Sequence, residues 1–476
     1  MAAGKKRRWL KVAGVLGVTA GLYLLVEAAV AVFYDPALDL YPGFSPEIAR
    51  MNYALYRDDP ELIRRMPPHL DIVHPKSKTP MRTNSRGFRG PEFEDAKAPG
   101  AFRVLFFGDS CLYGFGLKEE DSIPRKVEAL LRARLPGRKV ECINLAVPGY
   151  TSFQGVRLAA RWIPRLDPDV VVAGYGFNDS TVRNWTEAQV QASLAEAYRG
   201  LGKAAELLSF SPLFTLVRNK YRRAFTRNNI GADSLVLSDP ARAVSRVPIG
   251  EYERNVREMV RIARAAGARV VLVDMDIPNH YVLDTLRRIA RETGVPFVQA
   301  RAVLEAAAPP GSWTLEREGG EGRWFLVQAA YPAEAVRRGG APFLARLPLG
   351  RVRFPMEALP LRDDGKEGDR AAGDGVWTCR IRDPGGRNFE FAPAVELLKH
   401  GTAEEAFINY STFYRLPGPK GLAPAGVYRS PLIRYHRPSF RKFLVDFDQV
   451  HPNARGAELI ARSLAPVVAE GPAGER

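Results

Sequence analysis

An apolar run that stops at a small hydroxyl residue constrains this 476-residue chain more than any other feature. The run, Val104 to Phe107, is typical of a buried strand, and Gly108-Asp109-Ser110 is typical of the turn that leaves it. At the carboxyl end of the first strand, an α/β sheet binds and transforms ligands. A serine there becomes a nucleophile when a base can reach it, so the rest of the chain must supply that base.

The segment that starts at residue 101 alternates between strand-like and helix-like patterns. Short apolar runs are followed by stretches in which apolar residues recur at helical spacing, as after the predicted N-cap Ser122. Repeated units of this kind predict a parallel sheet covered by helices on both faces. The five predicted strands are Phe102–Phe107, Val140–Leu145, Val170–Ala173, Val270–Val273 and Val295–Val298.

The sequence pattern changes again near residue 308, at Ala308-Pro309-Pro310-Gly311. Short alternating segments with frequent Gly and Pro follow, and they predict a small antiparallel β-domain inserted into the α/β domain. A helix is expected over 397–407, and another over Pro452–Val468. The predicted divisions are an anchor (1–34), a lead-in rich in proline and charge (35–100), the first part of the α/β domain (101–307), the insertion (308–400) and the last part (401–476).

The N-terminal segment predicts a membrane anchor. Basic residues precede an apolar stretch from Val12 to Tyr34 that is interrupted only by Glu27 and is long enough to cross a bilayer. The preceding positive charge predicts a cytoplasmic amino end and a body outside the cytoplasm, periplasmic or extracellular. The alternative is a signal peptide cleaved near Ala29-Val30-Ala31. Both interpretations export the body.

The net charge of +16 does not predict nucleic-acid binding, because the basic residues are scattered and no nucleic-acid-binding motif accompanies them. Two local basic clusters are interpreted as solvated faces, with an anionic lipid or acidic polymer surface as the alternative. These clusters are Arg218, Lys220, Arg222, Arg223 and Arg227, and Arg434, Arg437, Arg441 and Lys442.

His451 is the predicted base. It lies in VDFDQVHPNARG, where Asp448 precedes it by three residues, a spacing that puts both side chains on one side of a turn entering a helix. The Asp448 carboxylate would then hold the imidazole in the required tautomer, and Asp446 is a weaker candidate. Donors for a developing oxyanion are expected after the next two strands, at the Gly149 N–H and the Asn178 amide.

These residues lie in blocks that resemble, in order, those of the SGNH (GDSL-type) hydrolase family. The blocks are Gly108-Asp109-Ser110, Gly149, Gly176-Phe177-Asn178-Asp179 and Asp448-Gln449-Val450-His451, over residues 101–307 and 400–470. The resemblance implies a flavodoxin-like three-layer αβα fold. It also implies Ser110 as nucleophile, His451 as base and Asp448 as orienting acid. The Ser110 N–H, the Gly149 N–H and the Asn178 side chain would form the oxyanion hole.

The resulting hypothesis is an exported, membrane-anchored esterase that forms an acyl-enzyme and needs no cofactor. Its substrate would be an acyl or acetyl ester, with an acylated glycan or lipid as candidates. One alternative is an O-acyltransferase that uses the same triad to acylate a cell-envelope glycan. The other is a non-catalytic glycan-binding protein, which the complete set of site residues disfavours.

The predicted insertion contains an acidic, glycine-rich loop that resembles turns of bacterial immunoglobulin-like β-sandwich modules. Its oxygen donors make calcium conceivable, but the spacing is not that of an EF-hand, and a structural turn is favoured. No metal is therefore expected, and the weak candidate ligands are Asp363, Asp364, Asp369 and Asp374.

Overall fold

The computed structural model describes most of the chain up to residue 307 and separate strands after it. The described residues are 2–41, 44–196, 208–225, 244–275, 280–307, 312–317, 324–330, 343–348, 357–366, 371–382, 389–394, 414–415, 427–431 and 451–470. The predicted helix over 397–407 lies outside them.

The residues ahead of the sheet fold onto it. Apolar side chains of this lead-in, among them Leu55, Leu62 and Met81, are buried in the same core as the sheet residues. The lead-in is therefore part of the packed domain. Helix α1 (Ala2–Phe33) comes before the lead-in, whose own elements are the helices α2 (Pro36–Leu40) and α3 (Pro46–Leu55) and the antiparallel pairs β1 (Arg57–Asp59) with β2 (Ile63–Arg65) and β3 (Asp71–Val73) with β4 (Pro80–Arg82).

A five-stranded parallel sheet forms the centre of the domain, as the sequence predicts. When the five strands are numbered by their order along the chain, their order across the sheet is 5-4-3-1-2, which is the flavodoxin-like order. Every residue of the first strand is buried, as expected of a strand covered on both faces. The strands are β5 (Phe102–Gly108), β6 (Val140–Asn144), β7 (Val170–Gly174), β10 (Arg269–Asp274) and β11 (Phe297–Gln299), and a small pair, β8 (Val182–Arg183) with β9 (Val244–Ser245), lies between β7 and β10 in sequence.

Helices cover both faces of this sheet. The helices that follow β5 are α4 (Ser110–Tyr113), α5 (Ile123–Arg134), α6 (Ser152–Leu166), α7 (187–196), α8 (Pro212–Phe225), α9 (Ile249–Ala265), α10 (His280–Thr293), α11 (Ala300–Ala306) and α12 (Ala454–Ala469). On one side α5 contacts α12, which contacts α11, and on the other α6 contacts α9, which contacts α10. Apolar side chains of α9 that recur at helical spacing, from Tyr252 to Ala263, are buried.

The inserted region forms two four-stranded antiparallel sheets, in agreement with the predicted β-domain. Paired strands continue past residue 400, because β18 and β19 each join one of these sheets. One sheet has the order β16-β13-β12-β19 and the other β15-β14-β17-β18. The strands are β12 (Ser312–Arg317), β13 (Trp324–Ala330), β14 (Phe343–Pro348), β15 (Glu357–Pro360), β16 (Val376–Arg382), β17 (Phe389–Ala394), β18 (Tyr414–Arg415) and β19 (Val427–Pro431).

Candidate active site

Ser110 lies at the carboxyl end of β5, as the first residue of α4. The preceding Asp109 caps this short helix, because its carboxylate accepts a hydrogen bond from the Cys111 N–H at 2.9 Å. Gly108 allows close packing, since a Cβ there would lie 2.6 Å from Leu112 Cδ1 and 3.0 Å from the Gly174 carbonyl. Each residue of the Gly-Asp-Ser turn therefore has a separate role in placing the hydroxyl.

His451 meets this hydroxyl from the other end of the chain. Its Nε2 lies 2.7 Å from Ser110 Oγ, across 341 positions of sequence. The histidine precedes α12, whose N-cap Asn453 accepts hydrogen bonds from two backbone N–H groups of the first turn. The predicted partners Asp448 and Asp446 lie outside the described residues, so the orienting acid stays a prediction.

One wall beside the imidazole is aromatic. The Phe115 ring lies 5.1 Å from the His451 ring between centroids, and the His74 ring of the lead-in meets Phe115 edge-on at 4.8 Å. His74 itself is buried, and its Nδ1 accepts the Ser77 N–H at 3.0 Å. The sequence analysis did not assign Phe115 or His74 to the site.

The Gly149 loop adjoins the Gly-Asp-Ser turn, because the Val147 N–H donates to the Gly108 carbonyl at 3.1 Å. Gly149 has φ +74°, a left-handed conformation that favours glycine. The Tyr56 hydroxyl donates to the Pro148 carbonyl at 2.8 Å. This carbonyl and the Gly149 N–H belong to one planar peptide group, so the bond to Tyr56 also fixes the direction of that N–H.

Two arginines hold the next carbonyl of the loop. Arg64 Nη2 and Arg246 Nη2 donate to the Gly149 carbonyl at 3.0 Å and 2.9 Å. A Cβ at Gly149 would lie 2.6 Å from Arg64 Nη2, which gives a second reason for glycine here. The Arg64 guanidinium also lies over the Tyr56 ring, 4.6 Å from its centroid. Lead-in residues and a residue before α9 thus hold the loop together.

Behind the loop is a buried polar network. Arg246 Nε donates to Glu187 Oε1 at 2.5 Å, and Gln154 Nε2 donates to Glu187 Oε2 at 2.6 Å. Burial, with a smaller contribution from Arg246, lowers the pKa of nearby Arg183 to about 9. This network was not predicted from the sequence, because isolated polar residues that are far apart along the chain leave no periodic signal.

Asn178 and Asp179 follow β7 at the same sheet edge. Asn178 Nδ2 donates to the Tyr150 carbonyl at 3.0 Å. This is the one hydrogen bond of the amide nitrogen among the described residues. The second hydrogen of the amide is therefore available to a ligand. Asp179 is buried and its carboxylate accepts the Ser152 N–H at 2.9 Å, which ties this loop to the start of α6.

Two buried carboxyl groups of the site resist ionisation. Burial raises the pKa of Asp109 to about 6, although the Cys111 N–H and the nearby His451 offset part of the rise. Burial likewise raises the pKa of Asp179 to about 6, against hydrogen bonds from Ser152. Such shifts are common where a protein holds a site in place at some cost to stability.

The acidic loop of the insertion uses its carboxylates on its own backbone. Asp363 accepts hydrogen bonds from the N–H groups of Gly373, Asp374 and Gly375 at 2.6, 3.2 and 3.0 Å. Asp364 accepts the Lys366 N–H at 3.0 Å. Asp369 lies outside the described residues, and those that are described contain no cluster of three His, Cys, Asp or Glu suited to a metal. These bonds are those of the structural turn.

Comparison with known proteins gives a family match and several similar folds. Residues 106–321, which include Ser110, Gly149 and Asn178 but not His451, match the profile of the GDSL-like Lipase/Acylhydrolase family. The solved structure of TesA is 18% identical to this chain in sequence. The match covers 43% of this chain and 81% of the TesA chain, with a TM-score of 0.25. No curated protein matches the chain.

Two further solved structures have titles that state an activity. A psychrotrophic esterase, EstA from Pseudoalteromonas sp., is 15% identical and covers 41% of this chain and 76% of its own, with a TM-score of 0.24. A GDSL-like lipase from Bacteroides thetaiotaomicron is 16% identical and covers 44% of this chain and 71% of its own, with a TM-score of 0.23.

Proposed function

We propose that this chain, a member of the GDSL-like lipase/acylhydrolase family and a hydrolase of ester bonds, uses Ser110 as its nucleophile and His451 as its base. The observation that carries the proposal is the 2.7 Å separation of Ser110 Oγ and His451 Nε2, within hydrogen-bond reach of a serine and its general base. Asp448 is proposed as the residue that orients the imidazole, from its position three residues before His451.

In the proposed reaction, Ser110 Oγ attacks the ester carbonyl carbon while His451 Nε2 takes the hydroxyl proton. The carbonyl oxygen becomes an oxyanion, for which the Ser110 N–H, the Gly149 N–H and the second amide hydrogen of Asn178 are the proposed donors. The protonated imidazole then gives its proton to the leaving alcohol. Water, deprotonated by the same imidazole, attacks the acyl-enzyme, releases the acid and restores Ser110.

We further propose that the enzyme is anchored in a membrane with its body on the extracytoplasmic side. Helix α1 contains a 23-residue apolar span, Lys11–Phe33, with a mean hydropathy of 2.1 and none of it buried against the rest of the protein. Such a span is about 34 Å long at 1.5 Å per residue, enough for a hydrocarbon core of about 30 Å. Contacts between Glu27 and the residues that open α8 favour a retained anchor over a cleaved signal peptide.

The substrate proposed is a short acyl or acetyl ester, carried by a glycan or a lipid of the cell envelope. This choice rests on the proposed location and on the family, and no geometry of the described residues selects the alcohol half of the ester. A panel of nitrophenyl esters of increasing chain length would define the acyl group. Product analysis with and without a glycan acceptor would separate hydrolysis from acyl transfer.

A fluorophosphonate probe tests the nucleophile directly, because it forms a covalent bond only with an activated serine. We expect the intact enzyme to be labelled, and the labelled peptide to contain Ser110. Replacing His451 by Gln should slow labelling by at least about 100-fold, since the base contributes about that factor or more. Labelling of another serine, or equal labelling of the His451→Gln variant, would contradict the assignment.

A further inference from the structure

We infer that residues 208–217, the short helix Leu208–Phe210 and the first turns of α8, enter the membrane beside α1 as a second contact with lipid. The inference rests on the proposal that α1 spans a bilayer. Residues 208–217, almost 200 positions later in sequence, would lie at the same depth in the bilayer as the outer part of that span. The occupant of this surface is the lipid of the extracytoplasmic leaflet.

Glu27 fixes the depth of this segment. It lies six residues before Phe33, the end of α1, which places it about 9 Å inside that end at 1.5 Å per residue. A carboxylate at such a depth is costly unless it has partners. Its oxygens accept hydrogen bonds from the Leu213 N–H at 3.0 Å and from the Ser211 hydroxyl, and Tyr23 of α1 donates a third at 2.5 Å.

The position of the carboxylate also suits the start of α8. Leu213 lies in the first turn of that helix, where backbone N–H groups have no partner within the helix and the helix dipole favours negative charge. Ser211 adds a cap, because its hydroxyl accepts the Phe214 N–H at 2.9 Å. Glu27 is thus explained as the residue that docks the beginning of α8 against the span.

From this point α8 runs outward alongside the end of α1. Asn219 Nδ2 donates to the Tyr34 hydroxyl at 2.9 Å, and Lys220 Nζ pairs with Asp39 at 2.8 Å. The contacts therefore follow the same order in both segments, from Glu27 to Asp39 on one and from Ser211 to Lys220 on the other. The beginning of α8 is consequently the deep end and Lys220 the shallow end.

Side chains of the deep end are apolar and exposed. The exposed fractions are 43% for Leu208 and 83% for Phe210, and Val217, farther outward on α8, is 58% exposed. In water such a group would be an unfavourable patch, whereas at the depth of Glu27 it faces acyl chains. Lys220, one of the basic residues that begin with Arg218, lies at the shallow end, where lipid head groups lie and lysine is attracted to anionic lipid. For Lys220 this position favours the lipid interpretation over the solvated one.

The test uses nitroxide labels on the full-length enzyme in vesicles of phosphatidylethanolamine and phosphatidylglycerol. Cys111 and Cys142 are buried, so a Cys379→Ser background permits single labels at Leu24→Cys in the span, Phe210→Cys and Val73→Cys. Val73 is the matched control, an exposed apolar residue of β3 on the body of the protein. Collision rates with oxygen, which concentrates in lipid, and with a water-soluble nickel chelate report the depth of each label.

We expect the Leu24 and Phe210 labels to collide several-fold more with oxygen than with nickel, and the Val73 label to show the reverse. If the Leu24 label is exposed to lipid but the Phe210 label collides with the nickel chelate as often as the Val73 label does, the inference is overturned. The proposal that α1 is an anchor would then still hold. A Leu24 label exposed to the nickel chelate would overturn the anchor itself. The two failures are therefore distinguishable.

Discussion

Ser110 and Gly149 lie at neighbouring strand ends, but they are held in place by different means. The turn at Ser110 is fixed by its immediate neighbours in sequence, since β5 is buried along its whole length and the Asp109 carboxylate caps the helix that follows. The Gly149 loop is fixed by side chains from elsewhere, chiefly Tyr56, Arg64 and Arg246. The position of Ser110, the proposed nucleophile, is thus a property of the sheet, whereas that of Gly149, the proposed oxyanion donor, depends on distant segments.

This difference changes what counts as the catalytic domain. The family match begins at residue 106, whereas Tyr56 and Arg64 precede it and contact the loop directly. A fragment cut at the start of the matched range would keep Ser110 but lose the first four residues of β5 and two of the three side chains that hold Gly149. Substitutions at the two places should therefore have different effects on turnover and on stability.

The largest effect is expected for Ser110→Ala. Removal of the nucleophile should lower kcat/KM for a nitrophenyl ester by roughly 10⁴-fold, with little change in the free energy of unfolding. The matched control is Ser122→Ala, because the Ser122 hydroxyl is buried and has no hydrogen-bond partner among the described residues. Residual turnover near that of the control would show that another group attacks the ester.

Arg246→Met should mainly reduce stability. The change leaves Glu187 buried with its Gln154 contact but without its ion-pair partner, and it removes one donor from the Gly149 carbonyl. Loss of one partner of a buried pair costs about 4 kcal/mol, measurable by urea unfolding. The control Arg254→Met removes an exposed arginine of α9. Equal stability of the two variants would mean that the loop does not depend on this network.

Asp179→Asn should change how stability depends on pH. The pKa of Asp179 is about 6 in the folded protein, above the ordinary value of about 4, so the folded state binds more protons between those values. The free energy of unfolding should therefore fall by up to about 3 kcal/mol as the pH rises through that window.

Asparagine cannot ionise but still accepts the Ser152 N–H, so the variant should lack this contribution and show a flatter profile. Urea unfolding at several pH values measures the slope. Asp167→Asn, at an exposed carboxyl group just after α6, serves as the control and should retain the slope of the parent protein. If the free energy of unfolding of Asp179→Asn depends on pH as steeply as that of the parent protein, Asp179 is not the group whose ionisation destabilises the fold.

Tyr56→Phe should give the smallest effect and the most specific one. The change removes only the hydroxyl that holds the Pro148–Gly149 peptide group, so kcat should fall about 10-fold while KM and the melting temperature stay close to those of the parent. A boronic acid, which forms a tetrahedral adduct with an active serine, should lose affinity in parallel.

Tyr53→Phe is the matched control, because Tyr53 lies near the end of α3, three residues before Tyr56, and its hydroxyl makes no hydrogen bond among the described residues. If Tyr56→Phe and Tyr53→Phe turn over alike while Ser110→Ala is inactive, Tyr56 has no positioning role and the assignment of the nucleophile stands. A fall in the melting temperature of Tyr56→Phe without a fall in kcat would assign Tyr56 to stability alone.

Sequence reasoning predicted the sheet well because its signals are local. All five strands were placed to within about two residues at each end, since buried parallel strands read as apolar runs. The contact between Ser110 and His451 was also predictable, from motif order. Tyr56, Arg64 and Arg246 were not, because a hydrogen bond between a loop carbonyl and a distant side chain has no spacing pattern. For the same reason Phe115 was missed as a neighbour of His451.

The wide separation of Ser110 and His451 has a consequence for the order in which the enzyme matures. The sheet is complete at Gln299, yet the proposed base arrives only with the last helix, α12, which packs on α5. If the body is exported as proposed, a chain emerging from a translocation channel would fold the segment around Ser110 long before His451 reaches it. Hydrolysis by the proposed pair would then begin only after the C-terminal segment has crossed and docked, so activity would report completed export.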